Sequence, residues 1–266
     1  MISASTNSSS TSQRNVLIAA ALLFAASAAL TITWCDSMSA MHDMPMPGGW
    51  TMSMMWMRMP GQSAPDSAAI FIGMWLAMTV AMMLPSLLPM LWRYRSRVGA
   101  VDGARLDALT AIVAVGYFFV WTAFGAMAYV IGSTLSEWAM HSSIVSRCVP
   151  VGTGIVIIIA GALQFSRWKM HHLACCRGMT RCCETYRADA QTAWSHGLRL
   201  GAHCVHCCFG LTAVLIVIGV MNLYAMALVT IAISAERIAK HGERVARWIG
   251  VVLVVAGLCL TLRAMQ

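Results

Sequence analysis

A chain of 266 residues with 59% apolar and only 11% charged side chains, where about a quarter charged is usual, cannot cover a globule with polar surface. Together with a mean hydropathy of +0.71, this excludes a soluble enzyme and a disordered protein, and it implies an all-α polytopic bundle of transmembrane helices. The net charge of +8 fits a basic rim facing anionic lipid, with no nucleic-acid partner. The other outliers are 22 Met, 10 Cys and 8 His, soft or borderline metal donors in unusual number for a bilayer protein.

Residues 1–15 are rich in Ser and Thr and read as a disordered cytoplasmic N-terminus. The first apolar run, 16–34, reads as a transmembrane helix, with a cleaved signal peptide as the alternative. Further runs at 69–92, 108–132 and 149–166 are each long enough to cross about 30 Å of hydrocarbon as a helix. The apolar stretch from His203 to Ala235 is too long for one crossing, so it is divided at Met221-Asn222, and a last span follows at 248–262. This gives about seven spans. With the N-terminus inside and the C-terminus outside, 15 of the 18 Lys and Arg fall on the cytoplasmic side, as short cytoplasmic loops require. No Asp or Glu lies inside a span, which argues against a proton-coupled or hard-cation route. Glu236 and Arg237, at the end of the sixth span, read as rim charges.

The outer loop at 35–68 carries nine Met between 38 and 59, among them Met44, Met46, Met55 and Met57, together with His42. A thioether is soft, uncharged and free of acid-base chemistry, so a Pro- and Gly-broken chain of them suits Cu(I) outside the cytosol. The alternative is an amphipathic loop resting on the membrane surface with Trp50 and Trp56. Cys35 and Cys148, at the outer ends of the first and fourth spans, are either disulfide partners or independent thiols.

In the second span Met74, Met78 and Met82 share one helical stripe, ahead of Pro85 and Pro89, which are expected to kink its inner half. The stripe is either packing or a thioether path for Cu(I) through the bilayer. Toward the cytoplasm, a Cys- and His-rich loop at about 167–208 holds His171, His172, Cys175, Cys176, Cys182, Cys183, His203, Cys204, His206, Cys207 and Cys208. His171 and Cys175, His172 and Cys176, His203 and Cys207, and Cys204 and Cys208 each stand four residues apart, on shared helix faces. Cytosolic thiols stay reduced, so this density favours a metal site, Cu(I) first and zinc second. Palmitoylated or inert thiols are the alternative.

Trp75, Met78, Ala81, Met82, Met83 and Pro85, then Gln164-Phe165, Lys169 and Cys176-Arg177, form the first parts of a pattern. It continues through Gly197, Gly201, Cys204, Cys207 and Cys208 to Gly219, Met221-Asn222-Leu223 and Glu236. On these residues the chain resembles an uncharacterised bacterial family of predicted metal-binding integral membrane proteins, over about residues 70–240. The resemblance implies metal binding and, with the spans, residence in the bacterial inner membrane. His172 stands where the family has Cys, His206 where it has Gly, and Phe209 where it has Trp; the first exchange keeps a ligand. The expected function is therefore a binding protein rather than an enzyme, one that moves copper or passes it to a chaperone or membrane-complex partner. A membrane oxidoreductase working through vicinal thiols, and a complex subunit with a structural zinc site, are the alternatives.

Overall fold

The computed structural model describes residues 2–39, 44–56, 61–98, 101–177 and 187–266. Its described elements are the helices α1 (Ile2–Ser39), α2 (Ala64–Arg95), α3 (Gly103–His141), α4 (Ser143–Leu163), α5 (Arg167–Cys176), α6 (Ala190–Ile218), α7 (Leu223–Ile238) and α8 (Gly242–Ala264). The strands β1 (Met44–Met46) and β2 (Trp50–Met52) and one 3-10 turn (Met54–Trp56) complete them. α1 takes in the Ser- and Thr-rich residues as well as the apolar run that follows them.

Local sequence starts the helices. Ser63 and Asp66 form a reciprocal capping box at α2, with Pro65 in its first turn. Ser142 caps α4, Ser166 α5, Asp189 α6 and Asn222 α7, each accepting a backbone N–H of the first turn. At Asp189 the Thr192 N–H and hydroxyl, at 2.6 and 3.0 Å, hold the carboxyl below its ordinary range. Gly219, at φ +124°, ends α6 in a conformation that L side chains rarely adopt. The chain therefore turns between α6 and α7 at 219–222, where Met221-Asn222 marks the break. α2 continues as one helix through Pro85 and Pro89.

Six helices, all but α5 and α7, contain a segment long and apolar enough to cross a membrane. α7 has 16 residues, about 24 Å of helix at the usual rise. Chain direction shows what it does. A Cβ at Gly154 would meet Gly257, and one at Gly161 would meet Gly250, so α4 and α8 are antiparallel. Gly210 lies against Ala160, and Val214 clusters with Ile157, so α4 and α6 are antiparallel too. α6 and α8 therefore run the same way, and α7 returns the chain between them.

Small residues make the close approaches, as they do where helices pack in lipid without a hydrophobic drive between them. A Cβ on Gly161 would stand 2.9 Å from the Gly250 carbonyl, and one on Gly250 3.0 Å from the Gly161 carbonyl. Gly197 and Gly201 seat α6 along α3 at Val113 and Tyr117 in the same manner. Gly161→Leu is expected to destabilise the protein by about 1–3 kcal/mol, the usual cost of overpacking, seen as a lower melting midpoint in detergent. The outward faces of α1, α3 and α8 expose Leu22, Phe119, Val130, Trp248 and Val252, as a lipid-facing bundle does.

The core runs the length of the bundle. α2 lies antiparallel on α3: Phe71 meets Tyr129, Trp75 Nε1 donates to the Trp121 carbonyl at 3.0 Å, and Arg95 pairs with Asp107 at 2.7 Å. At the end where α2 begins, the β1–β2 hairpin pairs Met44 with Met52 and Met46 with Trp50. Trp50 Nε1 donates to the Ser146 carbonyl, and Ser146 Oγ donates to the Pro47 carbonyl, pinning the hairpin to α4.

Candidate metal centre

Three thiols of α6 converge on one point. Cys204 and Cys208 lie one turn apart and Cys207 beside them, all three fully buried. The Cys207 and Cys208 sulfurs are 4.0 Å apart, and Cys176 of α5 touches Cys207. A hydrogen bond with Cys207, and then burial, push the Cys176 thiol well above its ordinary value. Tyr117 of α3 shares a 2.8 Å hydrogen bond with Cys204. At the shared point stands the guanidinium of Arg237 from α7: Nη2 donates to Cys204 at 2.8 Å, to Cys208 at 3.0 Å and toward Cys207 at 3.9 Å. Nη1 donates to Ser86 Oγ of α2 at 3.0 Å.

Arg237 and Glu236 correct the expectation of rim charges, since they are 8% and 1% exposed. α7 is short, so its last turn ends inside the bundle, level with the middle of α6. Glu236 lies buried against Lys169, 2.8 Å from its Nζ, and Lys169 also donates to Gln164 Oε1. An acidic residue therefore does lie within the bundle, neutralised by a lysine that α5 turns inward. Sequence reasoning missed Arg237, Ser86 and Tyr117. The available signal was a charged pair closing an apolar helix, and a tyrosine near the middle of a mostly apolar span.

The imidazoles form a second, more open group on α5 and α6. His172 Nδ1 and His203 Nδ1 share a hydrogen bond at 3.0 Å, and the His206 ring stacks on His172 at 4.9 Å between centroids. Trp168 lies edge-on to both His172 and His206. His171 is exposed, 4.0 Å from the Cys175 sulfur. Burial, and then the neighbouring His206, His203 and His171, hold His172 below the ordinary imidazole value. An unfolded chain therefore binds a proton here before the folded one does. Stability is full above about pH 6.5 and falls as pH drops through that value. Thermal midpoints at pH 7.5 and 5.5 are expected to show this fall, and His172→Gln to reduce it.

Met74, Met78 and Met82 are buried in the same continuous core as the thiols and as Met55. Met46 is half-buried and Met44 exposed on the hairpin. Met57, His42, Cys182 and Cys183 lie outside the described residues. Cys148 is an exposed free thiol, and buried Cys35 faces Met221 sulfur at 3.8 Å, so the two form no disulfide. Among the described residues, no three His, Cys, Asp or Glu side chains stand in a metal-holding arrangement. The thiol ring is closed on Arg237.

The ring nevertheless has the chemistry of a soft-metal site. Three sulfurs at about 2.3 Å from a common centre stand about 4.0 Å apart, the separation of Cys207 and Cys208. Imidazoles and a thioether stripe flank it, and among the described residues no free carboxylate is one of its contacts. A family profile described as a copper chaperone, PpoB2, matches residues 72–260, which take in the ring, the imidazoles and the stripe but leave out α1 and the Met-rich hairpin. No curated protein and no solved structure matches the chain. Since the matched span is more than two thirds of its length, the chain belongs to the PpoB2 copper chaperone family.

Proposed function

We propose that this protein is a membrane-embedded copper chaperone that carries Cu(I) on the α6 thiols. Cys204, Cys207 and Cys208 hold the ion, with Cys176 as the nearest further sulfur. The observation that carries this reading is the convergence of three buried sulfurs on one point. Thiolates at low coordination number select Cu(I) over the harder ions that carboxylates and carbonyls would bind.

The buried stripe of Met74, Met78 and Met82 supports a thioether approach to the ring. Met44 and Met46 of the hairpin, Met55 of the 3-10 turn that follows it, and Met57 of the same Met-rich segment would capture the ion ahead of it. His171, His172, Cys175, His203 and His206, half-buried or exposed, would exchange the ion with a soluble carrier or a copper-requiring partner. In a bacterial inner membrane, with the basic loops inside, this moves copper between the outer face and the cytoplasmic face.

The test is copper retention by purified, reduced protein after anaerobic loading and dialysis. Wild type is expected to retain copper, and Cys204→Ser/Cys207→Ser/Cys208→Ser to lose it. Met74→Leu/Met78→Leu/Met82→Leu is expected to retain copper but load more slowly. Equal retention by the triple serine variant would refute the site.

A further inference from the structure

Positions 74, 78, 82 and 86 are successive one-turn steps along α2, so the thioether stripe ends on Ser86. Ser86 holds one arm of Arg237, and the other arm lies in the thiol ring. A guanidinium thus stands between the stripe and the sulfurs. Among the described residues its hydrogen bonds go only to that hydroxyl and the three thiols, and its Nε makes none.

A guanidinium keeps its proton under all ordinary conditions, and an uncompensated charge this deep in a bundle is costly. Its nitrogen lies 2.8–3.9 Å from the same three sulfurs that would surround a metal. Two cations cannot share that point. Glu236, the neighbouring carboxylate, is bonded to Lys169 and so does not draw the guanidinium away.

We propose that Arg237 is the resident cation of the thiol ring: it fills the site when no copper is bound, and Cu(I) enters by displacing it. The proposal rests on the copper reading of Cys204, Cys207 and Cys208. Uptake is then an exchange at the sulfurs: Cu(I) takes the place of the guanidinium, which swings off the ring with its own proton still bound, and protons carried by the ligating thiols pass to solvent. The arginine sets an occupancy threshold, because every bound copper has a built-in competitor. Ser86 is a positioning residue that holds the competitor in place.

The experiment is a Cu(I) competition titration of the full chain in detergent against a chromogenic Cu(I) chelator. Arg237→Ala is expected to hold Cu(I) about tenfold or more tightly than wild type, within the usual range for two linked ligands. Added guanidinium ion, below denaturing concentrations and matched against sodium chloride, is expected to bring Arg237→Ala back toward wild-type affinity by refilling the vacated space. Wild type should not respond to it. Ser86→Ala, which leaves every thiol and the arginine in place, is expected to hold Cu(I) severalfold more tightly and serves if Arg237→Ala does not fold. An affinity unchanged or lowered in both variants overturns the proposal, as does a guanidinium effect no larger than that of sodium chloride. If copper binds wild type through the thiols but neither variant binds it more tightly, this inference fails and the copper site stands. If wild type binds none, both fail.

Discussion

Lys169→Met is expected to destabilise the protein by about 3–5 kcal/mol, the cost of leaving one member of a buried ion pair without its partner. Glu236 is 1% exposed and Lys169 4%, and the lysine also satisfies Gln164 Oε1. Removing the lysine therefore strands a carboxylate inside a bundle that offers little water. Adding Glu236→Gln should recover most of the loss, because the charge then disappears with its partner. The measurement is the unfolding midpoint in detergent for the two single variants and the double variant. A Lys169→Met protein within about 0.5 kcal/mol of wild type, the range of ordinary surface substitutions, would show that the pair is hydrated and does not organise α5 against α7. Were that so, the position of Cys176 beside Cys207 would need another explanation, since α5 carries both Lys169 and Cys176.

The same pair shows where sequence reading stops. Features set by local periodicity were legible. The i, i+4 methionines of α2 are buried on one stripe, the clustered thiols of α6 share one face, and Asn222 marks the turn because its side chain caps the helix that follows. The helical class followed from apolar run lengths, but the count of seven spans did not: among the described residues six helices are long and apolar enough to cross a membrane, and α7 has only 16 residues. What periodicity cannot supply is the level at which one helix ends beside another. Arg237 in the last turn of α7 has the sequence signature of a rim cation, and only the shortness of α7 against α6 draws it inward to Cys204. The donor-rich segment posed the same problem. Spacing gave four equivalent His and Cys pairs, whereas the docking of α5 on α6 sends Cys176 to the buried ring and leaves His171 and Cys175 at the surface. The hairpin too was hidden: nine methionines suggest a loose chain, but Gly48 at φ +109° allows a tight turn that Trp50 and Ser146 fasten to α4.

The second large effect concerns the copper-free protein. Cys204→Ala/Cys208→Ala removes the two sulfurs closest to Arg237. It is expected to cost about 3–5 kcal/mol, since a buried guanidinium is left with a hydroxyl as its main partner. The loss of two small thiols from a packed core is a lesser part of that cost. In an Arg237→Met background the same two substitutions should cost far less, because no charge remains to be stranded. The resulting coupling, about 2 kcal/mol or more, lies toward the upper end of what side chains in one network show. Unfolding midpoints of the four proteins, measured with a copper chelator present, give this number without reference to metal binding. Equal losses in both backgrounds would mean that the thiols stabilise the bundle by packing alone. A large coupling would mean that sulfur and guanidinium balance each other's charge in the empty protein. A ring held together by such a pair cannot lose its arginine unless another cation arrives, and this is why loading and folding of the site are one electrostatic problem.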